Sequence, residues 1–104
     1  MNKLEGALGL AAKAGSVVSG FQAVCDEVKN GHAELVLISS YMSANSAEKI
    51  ERICSENGIN FIKVDIEDIG AAIGRPNKLV VGITNKNFVN MINGVYRGGT
   101  VEHE

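Results

Sequence analysis

Residues 34–40 read Glu34-Leu35-Val36-Leu37-Ile38-Ser39-Ser40. Four large apolar side chains follow one another with no polar residue between them. A strand with one wetted face alternates, whereas a strand covered on both faces reads as a continuous apolar run. The stretch is therefore read as a central strand of an α/β sheet, and the sequence on either side must supply helices for both faces.

Upstream, Ala12 to Cys25 reads AKAGSVVSGFQAVC. Residues near 2–14 place Leu4, Ala7, Leu8 and Ala11 at helical spacing. Gly15 follows at the C′ position, where φ > 0 is usual. Ser16 to Val18 are short and β-branched and predict a strand. A second helix opens at Ser19 or Gly20, with Ser19 as N-cap and Gln22 completing a capping box. Its apolar face is Phe21, Val24, Cys25 and Val28, and Asn30-Gly31 closes it. The N–H groups at Gly20, Phe21 and Gln22, backed by the helix dipole, make a ready anion site.

Downstream, Tyr41 to Asn45 is a loop. Asn45 with Glu48 marks a helix start, Ile50, Ile53 and Cys54 give its inner face, and Asn57-Gly58 ends it. Phe61 to Val64 is a third strand. Asp65 and Asp68 bracket the first turn of a short helix with Ile66, Ile69 and Ile73 inward. Gly74-Arg75-Pro76-Asn77 is a turn, and Leu79 to Thr84 a fourth, wholly apolar strand. Asn85 caps a last helix with Phe88, Val89, Met91, Ile92 and Val95 inward. Such alternation predicts a three-layer α/β/α sandwich with right-handed crossovers. The expectation is a four-stranded mixed sheet with about five helices, one domain over residues 1–96 and a frayed tail over 97–104.

The chain's 104 residues suit one core. No apolar run approaches the ~20 residues of a membrane span. The small apolar residues after Lys3 imitate a signal peptide, but Glu5 and Lys13 interrupt them, which reads as the first helix of a cytoplasmic protein. A net charge of −2 argues against a large nucleic-acid footprint while leaving room for a small one. Lys13, Arg75, Lys78 and Lys86 all flank turns. Cys25 and Cys54 are far apart, lack metal-type spacing and read as buried reduced thiols. His32 and His103 form no metal pair, and no metal or cofactor is expected.

Catalytic signals are missing. There is no GxxxxGK[ST] and no GxGxxG. Ser39, Ser40 and Ser43 follow a strand, yet no Gly-x-Ser-x-Gly elbow surrounds them. The central strand ends without the carboxylate that a receiver-type phosphoacceptor needs. Gly70-Ala-Ala-Ile-Gly74 has a small-xxx-small spacing that permits close packing on the sheet. No small-molecule substrate is evident.

Several segments carry a family resemblance in order and spacing. They are Leu10-Ala-Ala-Lys-Ala-Gly15 with Val18-Ser19-Gly20, then Gly31-His-Ala-Glu-Leu-Val-Leu-Ile38. Ser43-Ala-Asn-Ser-Ala-Glu-Lys49, Ile69-Gly-Ala-Ala-Ile-Gly74, Val80-Val-Gly-Ile-Thr84 and Phe88 continue the match. Over roughly residues 3–92 the chain resembles the kink-turn-binding ribosomal protein family of the L-seven-Ae and L-thirty-e type, most closely its small bacterial YlxQ-type members. The resemblance implies the α/β/α sandwich, a ribosomal or translation-related RNA partner and no catalysis. It also implies that the second helix start reads sheared G·A pairs and that a loop before the last strand covers a protruding base. Those features fall on Gly20-Phe21-Gln22-Ala23 and on Arg75-Pro76-Asn77.

The departures from that pattern lie in the reading residues. Gln22 stands for Asn, Ala23 for Glu and Asp26 for Lys. Gln22 keeps an amide able to donate and accept. Ala23 accepts nothing from a guanine N–H, and Asp26 repels phosphate. Each lost base contact removes ~1–3 kcal/mol of discrimination. Phe21 reads either as core or as a base-stacking platform. Arg75 reads either as a solvated turn residue or as a guanidinium stacked on a base. Tyr41 stands where close relatives tend to carry Asp. The expected RNA-binding residues are Lys13, Ser19, Gly20, Phe21, Gln22, Arg75, Pro76 and Lys86. The alternative is a protein-interaction module on the same fold that has lost standard kink-turn recognition.

Overall fold

The computed structural model describes residues 3–96 and 101–102. In chain order the elements are α1 (Lys3–Lys13), β1 (Val17–Ser19), α2 (Phe21–Lys29), β2 (Leu35–Ser39), α3 (Ala44–Glu56) and β3 (Phe61–Val64). A 3-10 helix (Ile69–Ile73), β4 (Val80–Ile83), α4 (Lys86–Val95) and β5 (Val101–Glu102) follow. The sheet order is β1-β4-β2-β3-β5, so the apolar run of β2 is the middle strand. It lies parallel to β3 and antiparallel to β4, which makes the sheet mixed as expected.

All five residues of β2 are buried. Successive strand residues point to opposite faces, and the packing follows that rule. Leu35 and Leu37 join one core cluster with Leu4 and Leu8 of α1, Ile69 of the 3-10 helix and Ile92 of α4. Val36 and Ile38 join a second cluster with Val24, Cys25 and Val28 of α2 and Ala47, Ile50 and Cys54 of α3. Burying one such side chain is worth ~1.5–3 kcal/mol. A one-residue slip of β2 would exchange its two faces and misplace all of them, so the register is strongly specified.

Helix ends follow the glycines. Gly15 has φ 73°. The Gly15 N–H bonds the Ala12 carbonyl at 3.0 Å and the Ser16 N–H bonds the Ala11 carbonyl at 2.9 Å, a Schellman closure. Gly31 repeats this at the end of α2 with φ 81° and a His32 N–H bond to the Glu27 carbonyl at 2.9 Å.

Several expectations are corrected. Among the described residues there are four α-helices, not about five; the fifth expected helix, after Asp65, is the 3-10 helix Ile69–Ile73. Gly70 bonds back through Arg75 N–H and Lys78 C=O rather than into a longer helix. A two-residue β5 adds to the four expected strands, with Phe61 opposite Glu102 and Ile62 opposite Val101. The rest of the segment expected to fray, 97–100 and 103–104, lies outside the described residues. α3 is capped by Ser43, whose Oγ accepts from the Ser46 N–H at 3.3 Å, not by Asn45. On α4, Met91 and Val95 are exposed rather than inward, while Ile92 is buried and Phe88 and Val89 are partly buried against the first core cluster. Asn85 does cap α4, with Oδ1 accepting from the Asn87 N–H at 2.8 Å. Among the described residues no helix is long and apolar enough to cross a membrane.

Candidate functional site

The register of β1 against β4 puts Ser19 opposite Val81, and the ladder runs on through a Gly20 N–H bond to the Val80 carbonyl at 3.0 Å. The start of α2 therefore abuts the turn that leads into β4. Ser19 is held extended in this ladder and is not the N-cap. That position falls to Gly20, at φ 95° and ψ 155°, a backbone region almost confined to glycine, with no side-chain cap bond. Gln22 makes no capping box either; its Nε2 donates to Asp26 Oδ1 at 2.9 Å. The first intrahelical bond is Val24 N–H to the Gly20 carbonyl at 3.0 Å. The N–H groups of Phe21, Gln22 and Ala23 precede it and face outward with the positive end of the helix dipole.

The facing turn is held by Asp68. Its two carboxylate oxygens accept the Asn77 N–H at 2.9 and 2.8 Å, and Oδ1 also accepts the Lys78 N–H at 3.2 Å. These backbone bonds, that of Asn77 first, hold the Asp68 carboxyl below the ordinary aspartate range. Asn77 sits at φ 70°, a left-handed conformation that Asn tolerates. Gly70 completes the clamp. Its N–H bonds the Lys78 carbonyl at 3.1 Å, its carbonyl accepts from Arg75 at 2.8 Å, and a Cβ there would fall 2.6 Å from the Lys78 Cβ. Gly70 thus makes room for the returning turn, while nothing lies within 4 Å of a Cβ position at Gly74.

This clamp delivers Lys78, whose Nζ lies 3.7 Å from where a Gly20 Cβ would be. Lys78 was not among the expected site residues. No local sequence signal marks it, because Gly20 and Gly70 flank its side chain in space and not along the chain. Gly20, Phe21 and Lys78 line a groove of about 550 Å³ with Tyr41, Ser43 and Asn77. Phe21 is half-buried and packs on the second core cluster, which places it in the groove wall and not as a free platform. Tyr41 is 57% exposed at the rim.

Ser19, Ala23 and Arg75 line a neighbouring cavity of about 360 Å³. Lys13 borders a further hollow with Gly9, Ala72 and Gly74, which shares Ala12 and Ile73 with that cavity. Arg75 and Pro76 are exposed on the turn, and Gln22 on the outer face of α2. Lys86 is not brought to this end. It follows the other end of β4, a strand length of ~13 Å away at ~3.3 Å per residue.

Neither cysteine contributes. Burial pushes the Cys25 thiol up and the Cys54 thiol up to about 12, so both are protonated and inert near neutrality. Among the described residues no three His, Cys, Asp or Glu side chains gather to hold a metal ion.

This geometry has relatives. The RNA-binding protein YlxQ of Bacillus subtilis (strain 168) is 36% identical over 86 residues, covering 82% of this chain and 86% of that protein. The solved structure of a Bacillus halodurans C protein of unknown function superposes with a TM-score of 0.85 at 28% identity, covering 91% of this chain and 97% of the other. The Giardia lamblia 15.5kD RNA binding protein shares the fold, with a TM-score of 0.67 at 20% identity over 89% of this chain and 84% of its own. The sequence pattern of the ribosomal protein L7Ae/L30e/S12e/Gadd45 family matches residues 2–92, and the chain belongs to that family.

Proposed function

We propose that the chain is a non-catalytic RNA-binding protein that grips structured, kink-turn-like RNA, and that it works in the cytoplasm in association with the ribosome or another part of translation. The observation that carries this reading is the uncapped start of α2 set against the clamped turn, with the Lys78 ammonium beside Gly20. Outward N–H groups, a local cation and a glycine without Cβ suit close approach of a phosphodiester backbone. The RNA-binding relative at 36% identity supports it. The two core clusters on alternate β2 residues support the three-layer sandwich as the scaffold.

Lys13, Arg75 and Lys78 neutralise phosphates, and Gln22 contacts a base edge. With so few phosphates engaged, the salt dependence is shallow, and Lys78→Ala lowers the slope by about 1. The test is titration of labelled structured RNAs, a standard kink-turn among them, with wild type, Gln22→Ala, Arg75→Ala and Lys78→Ala. Micromolar or tighter binding, weakened by the three substitutions, is expected. Weak binding indifferent to all three refutes the reading. Exposed Tyr41 at the groove rim favours a second reading, a protein partner seated on the same surface. In that case Tyr41→Ala would abolish partner capture while RNA binding stayed negligible.

A further inference from the structure

Gln22 and Asp26 stand one turn apart on the exposed face of α2, next to Ala23 and its cavity with Arg75. The Gln22 Nε2–Asp26 Oδ1 bond of 2.9 Å commits an amide N–H of Gln22. What remains is mainly acceptor: both lone pairs of the Gln22 amide oxygen, Oδ2 of Asp26 and a lone pair on its Oδ1. Among the described residues Asp26 takes part in neither the Glu51–Lys63 ion pair nor the Glu27–His32 contact. The strip thus combines several acceptors with a negative charge outside the ion pairs of the described residues, beside the cationic Arg75 and Lys78 of the facing turn.

A phosphate is repelled by such a strip, so the RNA backbone must run along Lys78 and Arg75 and leave α2's outer face to a base. The chemistry of that base is constrained. Adenine, cytosine and uracil each place a ring or carbonyl acceptor beside the donor on the Watson–Crick edge, and that acceptor would meet Asp26. Guanine places two donors side by side, N1–H and the N2 amino group, which match a carboxylate's two oxygens. Exposed edges of this kind are available where RNA bases are unstacked in loops and bulges.

We propose that Gln22 and Asp26 form one reading unit that selects an unpaired guanine by its N1–H and N2–H edge, with Gln22 steadying the carboxylate. This rests on the RNA reading above and assigns Asp26 a specificity-determining role. A carboxylate here lowers general affinity for phosphates and raises discrimination between bases.

The test begins with selection from a stem–loop RNA pool with randomised loops on the full-length wild-type chain. Each guanine of an enriched RNA is then replaced by inosine, which lacks the N2 amino group. At one guanine the replacement weakens wild-type binding roughly tenfold, the scale of one lost base contact. Asp26→Ala binds the guanine and inosine RNAs equally, and Asp26→Lys binds both more tightly with a steeper salt dependence. Because Asp26 is exposed, circular dichroism should show both variants folded. An inosine penalty of the same size in wild type and Asp26→Ala overturns this inference while leaving RNA binding intact. So does enrichment of loops without guanine. A pool from which nothing is enriched overturns the RNA reading itself, and this inference with it.

Discussion

Replacing Gly70 by alanine tests whether the turn before β4 is held in place by lack of space. The new Cβ would sit 2.6 Å from the Lys78 Cβ and against the Arg75 carbonyl oxygen, both fixed parts of the turn. Gly70 lies outside the left-handed region, so the penalty is steric rather than conformational. Overpacking of this kind costs ~1–3 kcal/mol. Displacing the turn also strains the Arg75 N–H bond of 2.8 Å to Gly70 and the Gly70 N–H bond of 3.1 Å to Lys78, each worth ~0.5–1.5 kcal/mol. With one of the two lost, the total is about 2–4 kcal/mol, a large part of the ~5–15 kcal/mol of a typical domain. At ~4–8 °C per kcal/mol, the midpoint falls by roughly 10–30 °C. The assay is thermal unfolding followed by circular dichroism. Gly94→Ala is the matched control, because nothing lies within 4 Å of its Cβ position in α4. It should gain ~0.5–1 kcal/mol from helix propensity. A Gly70→Ala midpoint within about 2 °C of wild type, less than the shift from 1 kcal/mol, would refute the reasoning.

Asp68→Asn should flatten the acid limb of stability. The carboxyl is held below its unfolded value, so its contribution is full above the unfolded aspartate pKa of about 3.9 and fades as pH falls through the lower folded value. Urea midpoints at stepped pH below neutrality check this; parallel acid limbs in variant and wild type would contradict it. Cys54, with its thiol at about 12, should resist alkylation at mildly alkaline pH until the chain unfolds. Modification rates that ignore denaturant would count against its burial. Ser39→Ala should cost ~1–3 kcal/mol in urea unfolding. Ser39 is buried, donates to the Ile66 carbonyl at 2.6 Å and accepts the Tyr41 N–H at 3.1 Å, and a neutral result would mean water replaces both bonds.

Signals carried by local chemistry were readable in advance. The unbroken apolar run of β2, the glycines closing α1 and α2, and Asn85 at the start of α4 all appear where sequence rules place them. Ser19 escaped those rules because β4, about 60 residues further on, holds it extended, and no local capping preference registers that pairing. Asn45 with Glu48 reads as the start of α3, yet the helix starts two residues earlier, where Ser43 Oγ accepts the Ser46 N–H. Met91 and Val95 fit a helical stripe, yet the stripe is wider than the surface that α4 covers. Lys78 and Lys86 both flank turns, and chain position alone says nothing about which end of β4 each occupies. Lys78 joins the site through Asp68 and Gly70, ten and eight residues upstream, by backbone bonds that residue types do not announce.

The pairing of β1 with β4 also sets a clock. Among the described residues β1 is an edge strand paired with β4 alone. Ser19 must therefore wait for Val81 before Gly20 and Lys78 can meet. At ~5–20 residues per second, synthesis of the intervening ~60 residues takes roughly 3–12 s. Contacts this distant in sequence also form slowly once the chain is complete. A nascent or truncated chain ending before β4 would hold much of its α2 and β2 sequence and still lack the proposed binding surface. On the proposed function, RNA binding is thus a readout of completed folding, and a half-made copy should not compete for the RNA.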